Sequence, residues 1–296
     1  MSAKDLIIPE RTAVMGIVNV TEDSFSDGGR WLDIDAAIDH ARDLVAAGAD
    51  IIDVGGESTR PGATRVDPDV ERSRVDPDVE RSRVDPDVER SRVIPVIRAL
   101  SEEGIATSID TMRASVAAAA AEAGVKLIND VSGGLADRAM YSVMADTQLP
   151  VCLMHWKTVR FGDAAGSADH GGDVVADVHQ TLDKLVTSAL NAGVKEDNIT
   201  IDPGLGFAKT QEDNWALLRA LPEFIAGPYP VLVGASRKRF LRAVRAARGL
   251  QSGPVDADPA TAAVTAIAAH MGAWCVRVHE VAVSRDAVDV AALWNA

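Results

Sequence analysis

Short apolar runs recur along the chain, and each gives way to a polar or glycine-rich stretch. Eight such runs stand out, at 13–18, 50–54, 106–109, 126–128, 150–154, 199–201, 230–233 and 274–278. Their length, continuous apolarity and partial β-branching fit strands buried on both faces. Helical spacing follows each one, as in the alanine-rich segment 113–123 and the segment 172–192. Strict β-α alternation calls for parallel strands and right-handed crossovers. Eight units close as a barrel, so we expect an α/β chain forming one TIM (β/α)8 barrel domain over 1–296. A doubly wound open sheet is the competing arrangement, but its ligands gather at a single switch point. Here polar clusters follow all eight strands. The segment 249–259 reads as a mobile loop in the last crossover.

One stretch breaks the pattern. Arg-Val-Asp-Pro-Asp-Val-Glu-Arg-Ser occurs three times without a mismatch, at 65–73, 74–82 and 83–91. A nine-residue period spans two and a half helical turns, so successive copies face opposite ways and cannot share an apolar face. Each copy carries its own helix-start signal, with an aspartate N-cap (Asp67, Asp76, Asp85) and a proline behind it (Pro68, Pro77, Pro86). Pro77 and Pro86 break any helix entering from the preceding copy. We therefore expect the third copy to open the second barrel helix from about Asp85. The first two copies become a tandem-repeat insertion beyond what the barrel needs.

Composition narrows the partners. The chain is 296 residues long, 47% hydrophobic, and has a formal net charge of −14. That charge argues against nucleic acid and against an anionic membrane surface. No apolar run is long enough to span a bilayer, and the first residues do not read as a secretory signal. Cys152 and Cys275 fall in predicted strands without Cys-x-x-Cys spacing, which fits buried free thiols of a cytoplasmic protein.

The chemistry sits at the strand ends. Asp110, Asn129 and Asp202 follow the third, fourth and sixth strands. Two carboxylates and an amide in one pocket accept N–H bonds from a flat heterocycle with an amino-pyrimidinone edge. The plain alternative is that each caps the next helix. Lys238, Arg277 and His279 make a basic side at strands seven and eight, where barrels bind phosphate. Arg277 and His279 flank Val278 and so share one face of the strand end. Arg237 and Arg239 read as solvated charges. Asn19 and Asp27, from the first loop, are suited to a phosphate or to Mg²⁺ held largely through substrate oxygens. His155, His170 and His179 are too scattered in sequence for a zinc motif. No nucleophile elbow, Walker loop or dinucleotide fingerprint is present.

In order along the chain, these motifs resemble the dihydropteroate synthase family, and its actinobacterial members most. The resemblance rests on Met15-Gly16-Ile17-Val18-Asn19-Val20-Thr21, Asp23-Ser24-Phe25-Ser26-Asp27-Gly28-Gly29, the stretch 55–62, Ser108-Ile109-Asp110-Thr111, Ile128-Asn129-Asp130, the stretch 202–209, the stretch 234–238 and Arg277-Val278-His279. It implies condensation of 6-hydroxymethyl-7,8-dihydropterin diphosphate with p-aminobenzoate, with sulfonamides as inhibitors. It assigns the pterin to Asp110, Asn129, Asp202 and Lys238. It assigns the diphosphate to Asn19, Arg60, Arg277 and His279, with Mg²⁺ at Asn19. Phe25, Thr59, Arg60, Pro61, Phe207, Ser236 and Lys238 would surround p-aminobenzoate, and Asp27, Asp202 and Lys238 would act in catalysis. It also implies a homodimer. The repeat departs from the family pattern directly after the loop of Thr59, Arg60 and Pro61. There it is either a tolerated surface insertion or a displacement of that loop that confers sulfonamide resistance. Two other functions fit parts of the pattern. A methyltetrahydrofolate-type methyltransferase shares the pterin contacts but has no use for a diphosphate-binding basic side. A catalytically silent pterin-binding paralogue has no need to keep Asn19, Asp202, Lys238, Arg277 and His279 together.

Overall fold

The computed structural model describes residues 6, 8, 10–20, 30–56, 85–158, 161 and 167–296. Eight parallel strands lie in the order β6-β5-β4-β3-β2-β1-β8-β7. They are β1 (Ala13–Asn19), β2 (Ile51–Gly55), β3 (Thr107–Asp110), β4 (Leu127–Asp130), β5 (Val151–Met154), β6 (Ile199–Asp202), β7 (Leu232–Val233) and β8 (Cys275–Val278). A parallel bridge between Ile201 and Val231 closes β6 onto β7, so the sheet is a barrel. All eight expected strands form. Most of them end on a residue that the sequence pattern assigned to the loop. Asn19 pairs in register with Gly55, Asp110 with Asn129, and Met154 with Asp202. Asn19, Asp110, Asn129 and Asp202 are thus held by the hydrogen-bonded ladder rather than by loops.

The period of two along each strand separates two cores. Val14, Val18, Ile52, Val54, Ile109, Ile128, Leu153 and Ile201 face outward into the helix layer. Ala13, Met15, Ile51, Leu127, Cys152, Leu232 and Cys275 fill the lower barrel interior. Both cysteines are free and buried, as their strand placement implies. Above that floor the interior positions turn polar: Asp53, Ser108 and Thr200 are fully buried, and Asn129 and Asp202 lie nearer the mouth.

Ten α-helices are described around the barrel: α1 (Arg30–Ala46), α2 (Pro86–Glu102), α3 (Ala114–Glu122), α4 (Met140–Thr147), α5 (Val174–Ala192), α6 (Gln211–Arg219), α7 (Leu221–Ile225), α8 (Arg239–Ala246), α9 (Asp258–Met271) and α10 (Val281–Asn295). Helix α5 shows why they dock. Val178, Leu182, Leu185, Val186 and Ala189 recur at helical spacing on its buried face, and the Asp173 carboxylate caps Val175 and Ala176. The segment between α8 and α9 is a tied connection rather than an open loop. Arg242 Nε and Arg245 Nε donate to the carbonyls of Ser252 and Gln251, and a 3₁₀ turn at Val255–Ala257 leads into α9.

The third repeat copy opens α2 as its sequence predicts. Asp85 is the N-cap, its carboxylate accepting from the Asp87 N–H at 2.8 Å, and Pro86 stands in the first turn. One residue fixes this register. Glu89 is 1% exposed, accepts from Thr111 Oγ1 at 2.7 Å, and pairs with the Arg113 guanidinium. It joins the repeat to the β3–α3 connection, and Val93, Val96, Ile97 and Leu100 continue the buried stripe behind it. The first two copies lie outside the described residues. Removing one member of a buried ion pair costs about 3–5 kcal/mol, because the other charge stays buried. Glu89→Ala is therefore expected to lower the unfolding free energy by about that amount in urea titrations. The double variant Glu89→Leu/Arg113→Met should recover most of the loss.

Candidate active site

The barrel's inward positions converge on a cavity of about 790 Å³ at the C-terminal strand ends. Its lining includes Asn19, Asp110, Asn129, Asp202, Phe207, Ser236, Lys238, Arg277 and His279. Every expected site residue that the structure describes is therefore in one place. Phe25, Asp27, Thr59, Arg60 and Pro61 lie outside the described residues.

Arg277 organises the floor. Its Nε donates to Asp53 Oδ2 at 2.6 Å and its Nη2 to Asp110 Oδ2 at 2.7 Å, bridging β8 to β2 and β3. Asn129 Nδ2 donates to the same Asp53 oxygen at 3.3 Å. Burial opposes the charge on Arg277, but Asp53 and Asp110 hold its pKa above the ordinary arginine value. Burial pushes Asp110 up to about 7, with Arg277 opposing and Asp53 adding to the rise. Gly55 leaves the space between these groups open: a Cβ there would meet Asp110 Cβ at 3.5 Å and Asn19 Oδ1 at 3.9 Å.

Capping and ligand-facing roles separate cleanly. Asp130, beside Asn129, is the structural member: its carboxylate accepts from the Ser132 and Gly134 N–H groups. Asp202 spends Oδ1 on the Gly204 N–H at 2.7 Å and keeps Oδ2 toward Gly234. Burial raises the Asp202 pKa, with Lys238 pulling the other way. Asp110 makes no capping bond to α3, whose N-terminal Ala114 N–H goes to Asp137 instead.

The opposite wall is basic and aromatic. Lys238 Nζ donates to the Leu205 carbonyl and lies 4.4 Å from the centroid of the Phe207 ring. Burial lowers Lys238 to about 8, with Asp202 holding it up. Gly206 permits this overlay, since its φ is +77° and a Cβ would sit 2.4 Å from Lys238 Cδ. Phe207 packs edge-on to Trp156 at 5.0 Å, which gives the ring a fixed backing. Ser236 Oγ lies 2.9 Å from His279 Nδ1 and accepts from the His279 N–H at 3.1 Å. In the tautomer with the ring proton on Nε2, the Ser236 hydroxyl donates to Nδ1. Ser236, expected beside p-aminobenzoate, is thus also the group that orients His279.

Some charges differ from their sequence reading. Arg237 is not solvated: it pairs with both oxygens of Asp258 at 2.7 Å and is half-buried. Arg239 is exposed as expected, at the cavity rim. Asp53 was not singled out from sequence, although a lone carboxylate within Ile51-Ile52-Asp53-Val54 is a visible signal in a strand buried on both faces. Lys209 is a second unanticipated group. Burial lowers it to about 7, and its Nζ bonds the Gly204 carbonyl at 2.8 Å and His155 Nδ1 at 2.9 Å. His155 and His170, far apart in sequence, meet at Asp177, whereas His179 stacks on Phe224 at 4.0 Å.

A (β/α)8 barrel with carboxylates, an amide and a basic wall at its mouth suits a flat N–H-donating ring joined to an anion, and the comparisons give its class as pterin-binding. The family model "Pterin binding enzyme" matches residues 15–83 and 78–279, two stretches that overlap inside the repeat. The dihydropteroate synthase of Mycobacterium leprae is 48% identical over 95% of this chain and 93% of its own. The Clostridium difficile dihydropteroate synthase, solved in the presence of pteroic acid, superposes with a TM-score of 0.82. It is 38% identical, covering 97% of this chain and 98% of its own. The Yersinia pestis dihydropteroate synthase, solved as a sulfonamide drug complex, gives 0.81 at 33% identity, covering 97% of this chain and 96% of its own. The chain belongs to the pterin-binding enzymes and, within them, to the dihydropteroate synthases, transferases of folate synthesis.

The two perturbed groups bracket neutrality. Below about pH 7 Asp110 gains a proton and loses acceptor capacity toward the cavity, and above about pH 8 Lys238 loses its ammonium. kcat/KM for the pterin substrate is expected to fall on both sides. Lys238→Arg should remove the alkaline limb and Asp110→Asn the acid limb. An alkaline limb that survives Lys238→Arg would assign that limb to Lys209 instead.

Proposed function

We propose that this chain joins 6-hydroxymethyl-7,8-dihydropterin diphosphate to p-aminobenzoate by a dissociative substitution within this cavity. The observation that carries the reading is the convergence of Asp110, Asn129 and Asp202 on one side with Lys238, Arg277 and His279 on the other. The pterin's amino-pyrimidinone edge donates to Asp110 and Asp202 and meets the Asn129 amide, while Lys238 donates to its ring acceptors. The diphosphate lies toward Asn19, His279 Nε2 and the outer face of Arg277. As the C–O bond to the diphosphate breaks, both bonding electrons leave with the oxygen and the charge that builds there meets these donors. The methylene left behind is a cation delocalised into the pterin ring, stabilised by the carboxylates beneath it.

Phe207 and the aliphatic stem of Lys238 form a slot for the aromatic ring of p-aminobenzoate, with Ser236 close by. Its amine attacks the methylene and releases one proton. The aniline nitrogen is nucleophilic enough without a general base, so alignment of the two substrates supplies much of the acceleration. Asp27, Phe25, Thr59, Arg60 and Pro61 complete the account through the family resemblance.

Mg²⁺ fits this donor set as a guest of the substrate. Among the described residues Asn19 offers one hard oxygen at the mouth, while Asp53 and Asp110 are engaged by Arg277. An ion at Asn19 would take its other ligands from diphosphate oxygens and water, and when bound it would offset charge on the leaving group.

Helices α9 and α10 supply a surface for a homodimer. Ile267, Val290, Leu293 and Trp294 stand exposed on this packed pair, the last two at 79%. No described helix is long and apolar enough to cross a membrane, and the two reduced cysteines favour a cytoplasmic setting. The repeat follows the loop that carries Thr59, Arg60 and Pro61, and we assign it the displacement of that loop and a loss of sulfonamide inhibition.

A coupled turnover assay on the full chain and on a variant lacking residues 65–82 tests both parts. Diphosphate release should require p-aminobenzoate. The deletion should keep turnover while lowering the sulfonamide inhibition constant. Release of diphosphate without p-aminobenzoate incorporation contradicts the first reading. Equal inhibition constants contradict the second.

A further inference from the structure

His155, His170 and Asp177 come together behind the aromatic wall, and none of the three lines the cavity. His155 follows β5, His170 ends the connection to α5, and Asp177 stands in the first turn of α5. We propose that these three side chains bind one divalent transition-metal ion of the zinc class, which fastens the β5–α5 connection to the first turn of α5.

The donor geometry comes first. One ligand atom from each residue lies within 4.8 Å of the other two. Asp177 Oδ2 is 3.6 Å from His155 Nε2 and 2.7 Å from His170 Nδ1. Two ligands each about 2.1 Å from a tetrahedral ion are separated by roughly 3.4 Å. The His155–Asp177 pair already has that spacing, and the His170–Asp177 pair reaches it by opening less than an ångström.

The second observation is that His155 Nε2 is fully buried, points into this cluster and has no hydrogen-bond partner among the described residues. A buried polar atom without a partner is costly, and a metal ion is one way to satisfy it.

The third observation lies on the far sides of the rings. His170 Nε2 faces the Ala208 carbonyl at 3.2 Å, and His155 Nδ1 faces Lys209 Nζ at 2.9 Å. A carbonyl on the far nitrogen is how metal-binding histidines are oriented, so His170 has that arrangement as it stands, whereas His155 reaches its equivalent only with Lys209 as a neutral amine. Asp177 is similarly fixed, with Lys157 Nζ on Oδ1 at 3.0 Å and Oδ2 left to the two rings. Two imidazoles and one carboxylate select zinc or cobalt over magnesium. Three protein ligands leave a position for water on the side where Asp177 is partly exposed.

The protons balance. The ion replaces the proton shared by His170 Nδ1 and Asp177 Oδ2. At His155 the ring proton moves from Nε2 to Nδ1, and Lys209 releases one proton to accept that hydrogen bond as a neutral amine. Lys209 also holds the Gly204 and Phe207 carbonyls, so the ion would stiffen the segment that presents Phe207.

The test uses the full chain, stripped with a chelator and titrated with Zn²⁺ by calorimetry, with Zn²⁺ K-edge X-ray absorption on the loaded protein. One equivalent should bind, with two imidazole nitrogens at about 2.0–2.1 Å. His170→Gln and Asp177→Asn should each weaken binding by about tenfold or more. His40→Gln and His270→Gln, at exposed histidines, should leave it unchanged. Absence of binding, or unchanged affinity in the first two variants, overturns the proposal. So does a fall in affinity that tracks the exposed histidines. If the ligand variants do not fold, an absorption spectrum of the parent protein with fewer than two imidazoles has the same force.

Discussion

The Arg277 guanidinium, clamped between the Asp53 and Asp110 carboxylates, is the interaction on which the barrel mouth depends. It ties three strands, β8, β2 and β3, across the interior at the level where the core changes from apolar to polar. Two buried carboxylates side by side repel each other, and one planar cation with fixed donor directions resolves that conflict. The same contacts restrict the guanidinium to one orientation. In the proposed reaction the leaving diphosphate would meet a cation already in position, with little reorganisation as its charge develops.

The other wall is built by a different device. Gly204 and Gly206 adopt left-handed backbone conformations that only glycine takes without strain, and this folds the β6–α6 connection tightly against His155 and Lys238. A Cβ on Gly204 would lie 1.9 Å from the His155 carbonyl oxygen. Phe207 is thereby held between Trp156 and the Lys238 ammonium, and Lys209 is buried under the turn. Rigid strands position the carboxylate side. A glycine-dependent turn positions the aromatic side.

The barrel and most of its described site residues were legible in the sequence because period-two alternation and strand-end polarity report directly on geometry. Asn19, Asp110, Asn129, Asp202, Lys238, Arg277 and His279 share one cavity for that reason. Asp85 and Pro86 likewise mark the true start of α2, because capping is local. What escaped depends on contacts between distant segments. Asp53 sits in an apolar strand whose pattern is dominated by its neighbours, and its purpose appears only when Arg277 arrives from β8. Arg237 reads as a surface charge until Asp258 faces it. His155, His170 and Asp177 follow no spacing rule, since the fold of one long connection onto the helix it enters brings them together.

In the proposed reaction Asp53 acts on the substrate only by holding Arg277, while Asp110 also meets the pterin, so the two carboxylates are coupled through one shared guanidinium. A double-mutant cycle with Asp53→Asn, Asp110→Asn and the pair, reading the calorimetric affinity for 6-hydroxymethyl-7,8-dihydropterin diphosphate, tests it most directly. The account predicts that the two losses are strongly non-additive, because either substitution already loosens Arg277. Losses that add to within about 0.5 kcal/mol would mean that the two carboxylates act independently, and would contradict it.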